Sequence, residues 1–204
     1  MKNKSPKDPF KTHCWAYTIV ADPYQVFAEC FIFADIGSVK MTIRQVLCSV
    51  DRKKVHKKDE PASVLNLFNA VNSVILAAWE LYRQKKTSAL KIEPGQFTDK
   101  RLYARPGTNC AEWDYLPKNL SAGEYQNPYK VFSRFFKHGD AVQWQHHIKE
   151  VLNYALSSCT NDCELDLLKL YLQLTRLMEA AHLIDVREVL HIGGHLKPAL
   201  VKEG

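Results

Sequence analysis

The sequence lacks a long uncharged apolar run, which is the mark of a membrane-spanning helix. A span needs roughly 18–20 such residues, but the longest candidate, residues 64–81, contains Asn66, Asn69, Asn72 and Glu80. The amino-terminal stretch MKNKSPKDPFKTH is charged and contains prolines, unlike a secretory signal. We therefore expect a soluble, cytoplasmic protein without a membrane partner, whose six cysteines are mostly reduced.

Motifs for nucleophilic catalysis and nucleotide binding are also missing. The chain has no G-x-S-x-G, no P-loop and no G-x-G-x-x-G, and we can assign no carboxylate pair to acid–base work. Cys159-x3-Cys163 and His191-x3-His195 each have the spacing of half a zinc site, but a predicted helix of about 30 Å separates the two pairs. We predict no metal and no cofactor, and these absences leave enzymatic activity undecided.

The strongest positive signal is an apolar helix from Glu164 to Ile184. Leucine or alanine recurs three or four residues apart, at positions 167, 170, 174, 177 and 181, which places these side chains on one face. Leucines at 165, 168 and 172 widen that face, so we expect neighbours on several sides of the helix. Asn161 and Glu164 have capping-box spacing at its start, and Asp185 is expected to cap a separate short helix.

Other segments carry helical signals of their own. Aspartate followed by proline predicts a helix that begins after Asp22. Asp59-Glu60-Pro61, a cap and a proline start, predicts a long helix over residues 61–86. Further helices are predicted over residues 129–137 and 141–157. We expect the 61–86 and 141–157 helices to pack against the central one. Residues 38–50 fit both the helical and the strand period, and we favour a helix.

Together these signals predict an all-α protein, a single-domain bundle of about six or seven helices over residues 13–204. Residues 1–12 are predicted to be a disordered lead, and the following CWAYTIV is compatible with a short strand or hairpin. Residues 87–127 are predicted to form a long irregular loop because proline-containing turns interrupt them. This loop is the one candidate for a boundary within the domain.

Two groups of basic residues are candidate binding surfaces in a chain of net charge +6. The loop cluster comprises Arg52, Lys53, Lys54, Lys57 and Lys58; the helix-end cluster comprises Arg83, Lys85 and Lys86. Such side chains neutralise phosphates and give a salt-dependent, sequence-independent attraction. A solvated linker and a favourable helix dipole are the simpler explanations. Our first hypothesis is a non-enzymatic interaction module that binds a protein or nucleic acid through this basic surface. This hypothesis is compatible with a homo-oligomer.

The second hypothesis is an enzyme that uses Arg176 and His182. An arginine followed about five residues later by a histidine, in a helical domain, resembles the motif of the HEPN superfamily, many of whose members are RNases. The resemblance covers these two residues and the helical class. It implies that Arg176 stabilises phosphate charge and that His182 aids proton transfer. In this chain Leu177 follows the arginine, where the family commonly has a polar residue.

The enzyme hypothesis makes a geometric demand. On a continuous helix the side chains of Arg176 and His182 point about 120° apart. The enzyme hypothesis nevertheless requires both side chains to line one exposed cleft. A second subunit or a break in the helix would have to bring them together.

The segment HIGGH is the most unusual local string, and it supplies a candidate loop site formed by His191, Gly193, Gly194 and His195. Its glycines would let a phosphate or a partner backbone approach closely, and loops carry function more often than cores do. Two glycines also commonly end a helix, so this segment is a candidate without an assigned ligand.

Overall fold

The computed structural model describes residues 22–88, 90–104, 115–158 and 163–189, together with the backbone of residues 191–192 and 195–196. These residues are mostly helical, which confirms the predicted all-α class. The described helices are α1 (Pro23–Phe33), α2 (Ile36–Asp51), α3 (Pro61–Arg83), α4 (Ala122–Gln126), α5 (Tyr129–Phe136), α6 (Ala141–Leu156) and α7 (Leu167–Glu188). The predicted disordered lead and amino-terminal strand fall on residues 1–20, which lie outside the described residues.

Aspartate caps explain where most of these helices begin. The side chains of Asp22, Asp35 and Asp140 each accept a 2.9 Å hydrogen bond from a backbone N–H in the first turn of α1, α2 and α6, which satisfies a donor that has no partner within the helix. Asp35 thus starts α2 at Ile36. The ambiguous 38–50 segment is helical, as we favoured.

The central helix differs from its prediction at both ends. Asp166 is its N-cap and accepts a 2.9 Å hydrogen bond from the Lys169 N–H, so α7 begins three residues later than expected; Asn161 lies outside the described residues. The prediction of a separate short helix after Asp185 was wrong. Asp185 is fully buried within α7, which continues to Glu188 because no glycine or proline interrupts it.

The packing around α7 is uneven along its length. From Leu174 to Asp185 every side chain except that of Arg176 is buried, whereas in the first two turns Leu168 remains 69% exposed and Leu172 is also exposed. The prediction that neighbours contact several sides of the helix was therefore wrong in these turns, where neighbouring helices cover one side only.

Helices α1, α2, α3 and α5 surround α7. The predicted contact between the long helix and the central one is confirmed, but α6 packs mainly on α2 and α3 rather than on α7. By length and composition α3 could cross a membrane, but 56% of its most apolar stretch is buried inside the fold, as in any core helix. Buried side chains from all seven described helices form one hydrophobic core.

Among its described residues, the predicted loop over residues 87–127 contains short regular pieces. They include two 3₁₀ turns, Pro94–Gln96 and Lys100–Leu102, and helix α4. Residues 105–114 lie outside the described residues. Near the carboxyl end, β1 (His191–Ile192) pairs antiparallel with β2 (His195–Leu196). We had expected residues 191–192 to end the short helix after Asp185, but they form a strand.

Candidate functional site

The loop cluster lies between α2 and α3 and is fixed by a buried histidine. The imidazole of His56 is fully buried; Nδ1 lies 3.1 Å from Ser49 Oγ and Nε2 lies 2.9 Å from Asp59 Oδ2. The His56 backbone N–H also donates to the Ala155 carbonyl at the end of α6, at 2.8 Å. The basic side chains around this histidine are exposed: Arg52, Lys53, Lys54, Lys57 and Lys58. The loop is thus held from inside while its cations face solvent.

His56 lies within the basic run of residues 52–58, and no signal in the sequence singled it out. Nothing in the run distinguishes a buried imidazole from a solvated one. Ser49, which contacts the ring, and Ala155, which accepts from the His56 backbone N–H, belong to two different helices. The nearby Asp59 was expected to cap α3, and its carboxylate instead contacts the histidine. Asp51, Asp59 and Glu60 also dilute the positive charge of this loop.

The helix-end cluster is exposed at the carboxyl end of α3. Arg83 forms an exposed ion pair with Glu80 at 3.4 Å, a contact of a kind that contributes little to stability. Tyr82 is 37% exposed. Its ring contacts those of Trp79 and Phe136, with centroid separations of 5.6 and 5.5 Å. Basic and aromatic side chains therefore occupy the same part of the surface.

The structure does not bring the two clusters together. They lie at opposite ends of α3, which has 23 residues and a length of about 34 Å at the usual rise of 1.5 Å per residue. A single phosphate or a short acidic peptide cannot reach both. If both clusters bind one partner, that partner must be extended.

The clusters nevertheless share a backbone feature. Lys53 and Lys85 both have φ of 52°, and no other residue except glycine has a positive φ among those that the structure describes. In each case the backbone N–H of the lysine donates to the carbonyl three residues earlier. The N–H of the next residue donates to the carbonyl five residues before it, and all four distances are 2.9 to 3.1 Å. This is the Schellman helix ending, in which glycine is the usual residue. A lysine there costs roughly 1–2 kcal/mol.

The structure places Arg176 and His182 in different surroundings on α7. His182 is 3% exposed, and its ring contacts those of Phe31 and Tyr115 at centroid separations of 4.9 and 5.9 Å. The Arg176 guanidinium donates to both carboxylate oxygens of Glu124, at 2.7 and 2.8 Å. Because His182 lies in the core, the two side chains do not line one exposed cleft.

Glu124 is the carboxylate that holds Arg176. It also accepts hydrogen bonds from Arg134 at 3.0 Å and from the backbone of Ser121 at 2.9 Å. Burial alone would raise the pKa of Glu124, but the hydrogen bonds from Arg176 and Ser121 outweigh it and lower the pKa below its usual value. The S-x-x-E spacing of a capping box was a readable signal for Ser121 and Glu124; the pairing with Arg176 was not.

Other buried charges of α7 hold the 87–127 segment. Glu179 accepts hydrogen bonds from Lys40 Nζ at 3.1 Å and from the backbone N–H groups of Lys118 and Asn119 at 3.1 and 3.0 Å. The Arg187 guanidinium donates to the carbonyls of Leu102 and Tyr125. Both charges make their hydrogen bonds inside the fold, although Arg187 Nη2 is buried without a partner among the described residues, so we assign them to stability rather than to binding.

A hydrogen-bonded chain closes the far end of α7. Tyr129 donates to Glu188 at 2.6 Å, Ser88 donates to the other carboxylate oxygen at 2.8 Å, and the Tyr24 hydroxyl lies 3.0 Å from that of Tyr129. Burial, reinforced by the hydrogen bond to Glu188, raises the pKa of Tyr129. The phenol therefore remains a donor at neutral pH.

The candidate loop site is described only in its backbone. His191 and Ile192 pair with Leu196 and His195, respectively, in the β1–β2 ladder, whereas Gly193 and Gly194 lie outside the described residues. Within the part of the chain that the structure describes, no three His, Cys, Asp or Glu side chains are grouped as metal ligands.

Comparisons with known proteins add no relative. No protein-family model, curated protein or solved structure matches the chain. Function must therefore be argued from the geometry of these surfaces.

Proposed function

We propose that this protein is a non-enzymatic interaction module that binds an anionic partner, a nucleic acid, through the loop cluster and the helix-end cluster. The observation that carries the proposal is the way in which the loop cluster is held in place. Buried His56 fixes the loop to α2 and α6, while the five basic side chains around it remain exposed. Cations on a preorganised loop lose less freedom on binding than cations on a flexible linker.

The strained lysines give further support. A connection that served only to join two helices would be more stable with glycine at the left-handed position. The carboxyl ends of α2 and α3 nevertheless each have a lysine there, Lys53 and Lys85. Strain of this kind, where it persists, is often associated with function. Charge at a helix carboxyl end also complements the dipole, so the proposal needs a test that separates binding from stability.

The test compares two variants with equal loss of charge. In the loop variant, Lys54, Lys57 and Lys58 are changed to glutamine; in the control, the exposed Lys91, Lys130 and Lys169 are changed to glutamine. Both substitutions lower the net charge of +6 by three. Gel shifts with labelled RNA and DNA, at salt concentrations from about 50 to 200 mM, measure how affinity depends on salt.

We expect salt-sensitive binding by the wild-type protein. In the loop variant, the slope of log affinity against log salt should fall by roughly 2 to 3, since three phosphate contacts are removed, while the control keeps the wild-type slope. Equal losses in both variants would mean that only net charge matters and would refute the loop site. If the wild-type protein binds neither nucleic acid, the proposal fails.

The RNase hypothesis is scored in the same lanes. The burial of His182 and the engagement of Arg176 by Glu124 offer it no support, so we expect shifted but intact RNA. Cleavage by the wild-type protein that disappears in a folded His182→Gln variant would overturn that expectation and restore the enzyme hypothesis.

A further inference from the structure

We infer that the helix-end cluster is a site for single-stranded nucleic acid, in which a base stacks on Tyr82 while the neighbouring cations bind phosphates. This inference rests on the proposed function and specifies the partner's class. It starts from the one structural difference that separates the two clusters. The run of residues that forms the loop cluster contains no aromatic side chain, whereas the helix-end cluster follows directly on Tyr82.

Tyr82 packs against two other rings and is itself 37% exposed. Its ring is tilted by 36° to Trp79 and by 33° to Phe136, and Trp79 and Phe136 contact each other edge to face at 4.8 Å. Phe136 is buried, whereas Tyr82 is among the exposed large side chains. Three rings in mutual contact restrain the orientation of the exposed one, so that a base can stack on it without an added cost of ordering the side chain.

Exposed cations follow this ring and its neighbour Phe136 along the chain, at the ends of two helices. Arg83, Lys85 and Lys86 follow it at the end of α3, and exposed Lys137 follows Phe136 at the end of α5. A positively charged track beside an aromatic platform is the arrangement by which sequence-tolerant proteins hold single strands. Each base has a π face, and each linkage carries a phosphate, so this pairing of groups suits any unpaired strand.

A duplex cannot use the same platform, because its bases are already stacked on one another inside the helix. It can still offer phosphates to Arg83, Lys85 and Lys86. The helix-end cluster should therefore prefer a single strand to a duplex of the same sequence, while the loop cluster, which contacts only phosphates, should not. Lys85 in its left-handed conformation is consistent with a charge retained for such contacts.

The test uses two substitutions at one position and three probes. Tyr82→Leu keeps an apolar contact with Trp79 and Phe136 but removes the ring, and Tyr82→Phe retains the ring. The probes are labelled oligouridine, the same strand paired with oligoadenosine, and inorganic polyphosphate. Affinities are measured by anisotropy or competition, and thermal unfolding confirms that each variant is folded.

We expect Tyr82→Leu to weaken oligouridine binding by roughly 5- to 150-fold, the usual effect of losing one stacked base, and Tyr82→Phe to restore it. Polyphosphate binding should be unchanged in both variants, and duplex binding should lose much less affinity in Tyr82→Leu than oligouridine binding does, because a duplex cannot stack on the ring. If Tyr82→Leu leaves oligouridine binding intact, or weakens polyphosphate binding as much, the stacking site is refuted although the basic surface survives. If the wild-type protein binds none of the three probes, the proposed function fails as well.

Discussion

The ion pair between Arg176 and Glu124 supplies the sharpest test of whether Arg176 is structural. In the folded protein the Glu124 side chain is 4% exposed and accepts two hydrogen bonds from Arg176. Breaking a buried pair from one side typically costs about 3–5 kcal/mol, because the remaining charge is stranded. Here Arg134 still reaches Glu124 at 3.0 Å, although its side chain is 55% exposed, and the Ser121 N–H still donates to it at 2.9 Å, so the stranded charge keeps partners. We expect Arg176→Met to lower the free energy of unfolding by about 2–3 kcal/mol.

A double-mutant cycle isolates the interaction. Urea unfolding is measured for the wild-type protein, Arg176→Met, Glu124→Gln and the double variant. Once Glu124 is neutral, the substitution of Arg176 should cost at least about 1 kcal/mol less than in the wild-type background. A cost of Arg176→Met below about 0.5 kcal/mol, typical of an ordinary surface substitution, or strict additivity of the two changes, would refute the argument.

The same pair predicts a pH dependence whose sign follows from the lowered pKa of Glu124. A carboxyl group whose pKa is lowered by folding stabilises the protein above its unfolded pKa, and this contribution is lost as the pH falls through the folded value. The difference in stability between the wild-type protein and Glu124→Gln should therefore be constant near neutral pH and shrink once the pH falls below the ordinary glutamate value of 4.5. A difference that grows on acidification would contradict the assignment.

Three further predictions follow from individual residues. Lys85→Gly should raise the free energy of unfolding by about 1 kcal/mol, because glycine adopts positive φ without strain; an unchanged urea midpoint would contradict this. Asp35→Ala should cost about 1 kcal/mol through loss of the α2 cap. Burial would raise the pKa of Asp35, but hydrogen bonds from Ser38 and nearby backbone lower it. The effect should therefore vanish in urea titrations as the pH falls below the ordinary aspartate value of 3.8. In calorimetry, exposed Leu168→Gln should change stability by less than about 0.5 kcal/mol, whereas buried Leu174→Ala should cost about 2–5 kcal/mol; similar losses would contradict the observed burial.

Helix positions were readable from local signals, and their packing was not. Asp22 and Pro23 mark the start of α1, and Asp140 marks the start of α6, because a cap is satisfied within its own first turn. The period of α7 identified Leu170, Leu174 and Leu177 as buried, but it could not show that Leu168 would be exposed. Periodicity defines a face, whereas the neighbours that cover it are decided by the whole chain.

The candidate surfaces show the same division. The exposure of the basic residues in the loop cluster is what any charged run predicts, and it required no tertiary information. The anchoring of that loop by His56, the separation of the clusters along α3 and the support of Tyr82 by Phe136 did require it.

By itself, then, the sequence determined the helical class, most helix starts and the exposed basic residues, since each depends on side chains within a turn or two of one another. The tertiary structure alone decided which polar residues are buried and what they bind. Glu124 and Arg176 are 52 residues apart, and Asn119 and Glu179 are 60 apart. The free energy of burying a charge depends on a partner at hydrogen-bonding distance, and no local pattern specifies a partner that only the folded chain brings there.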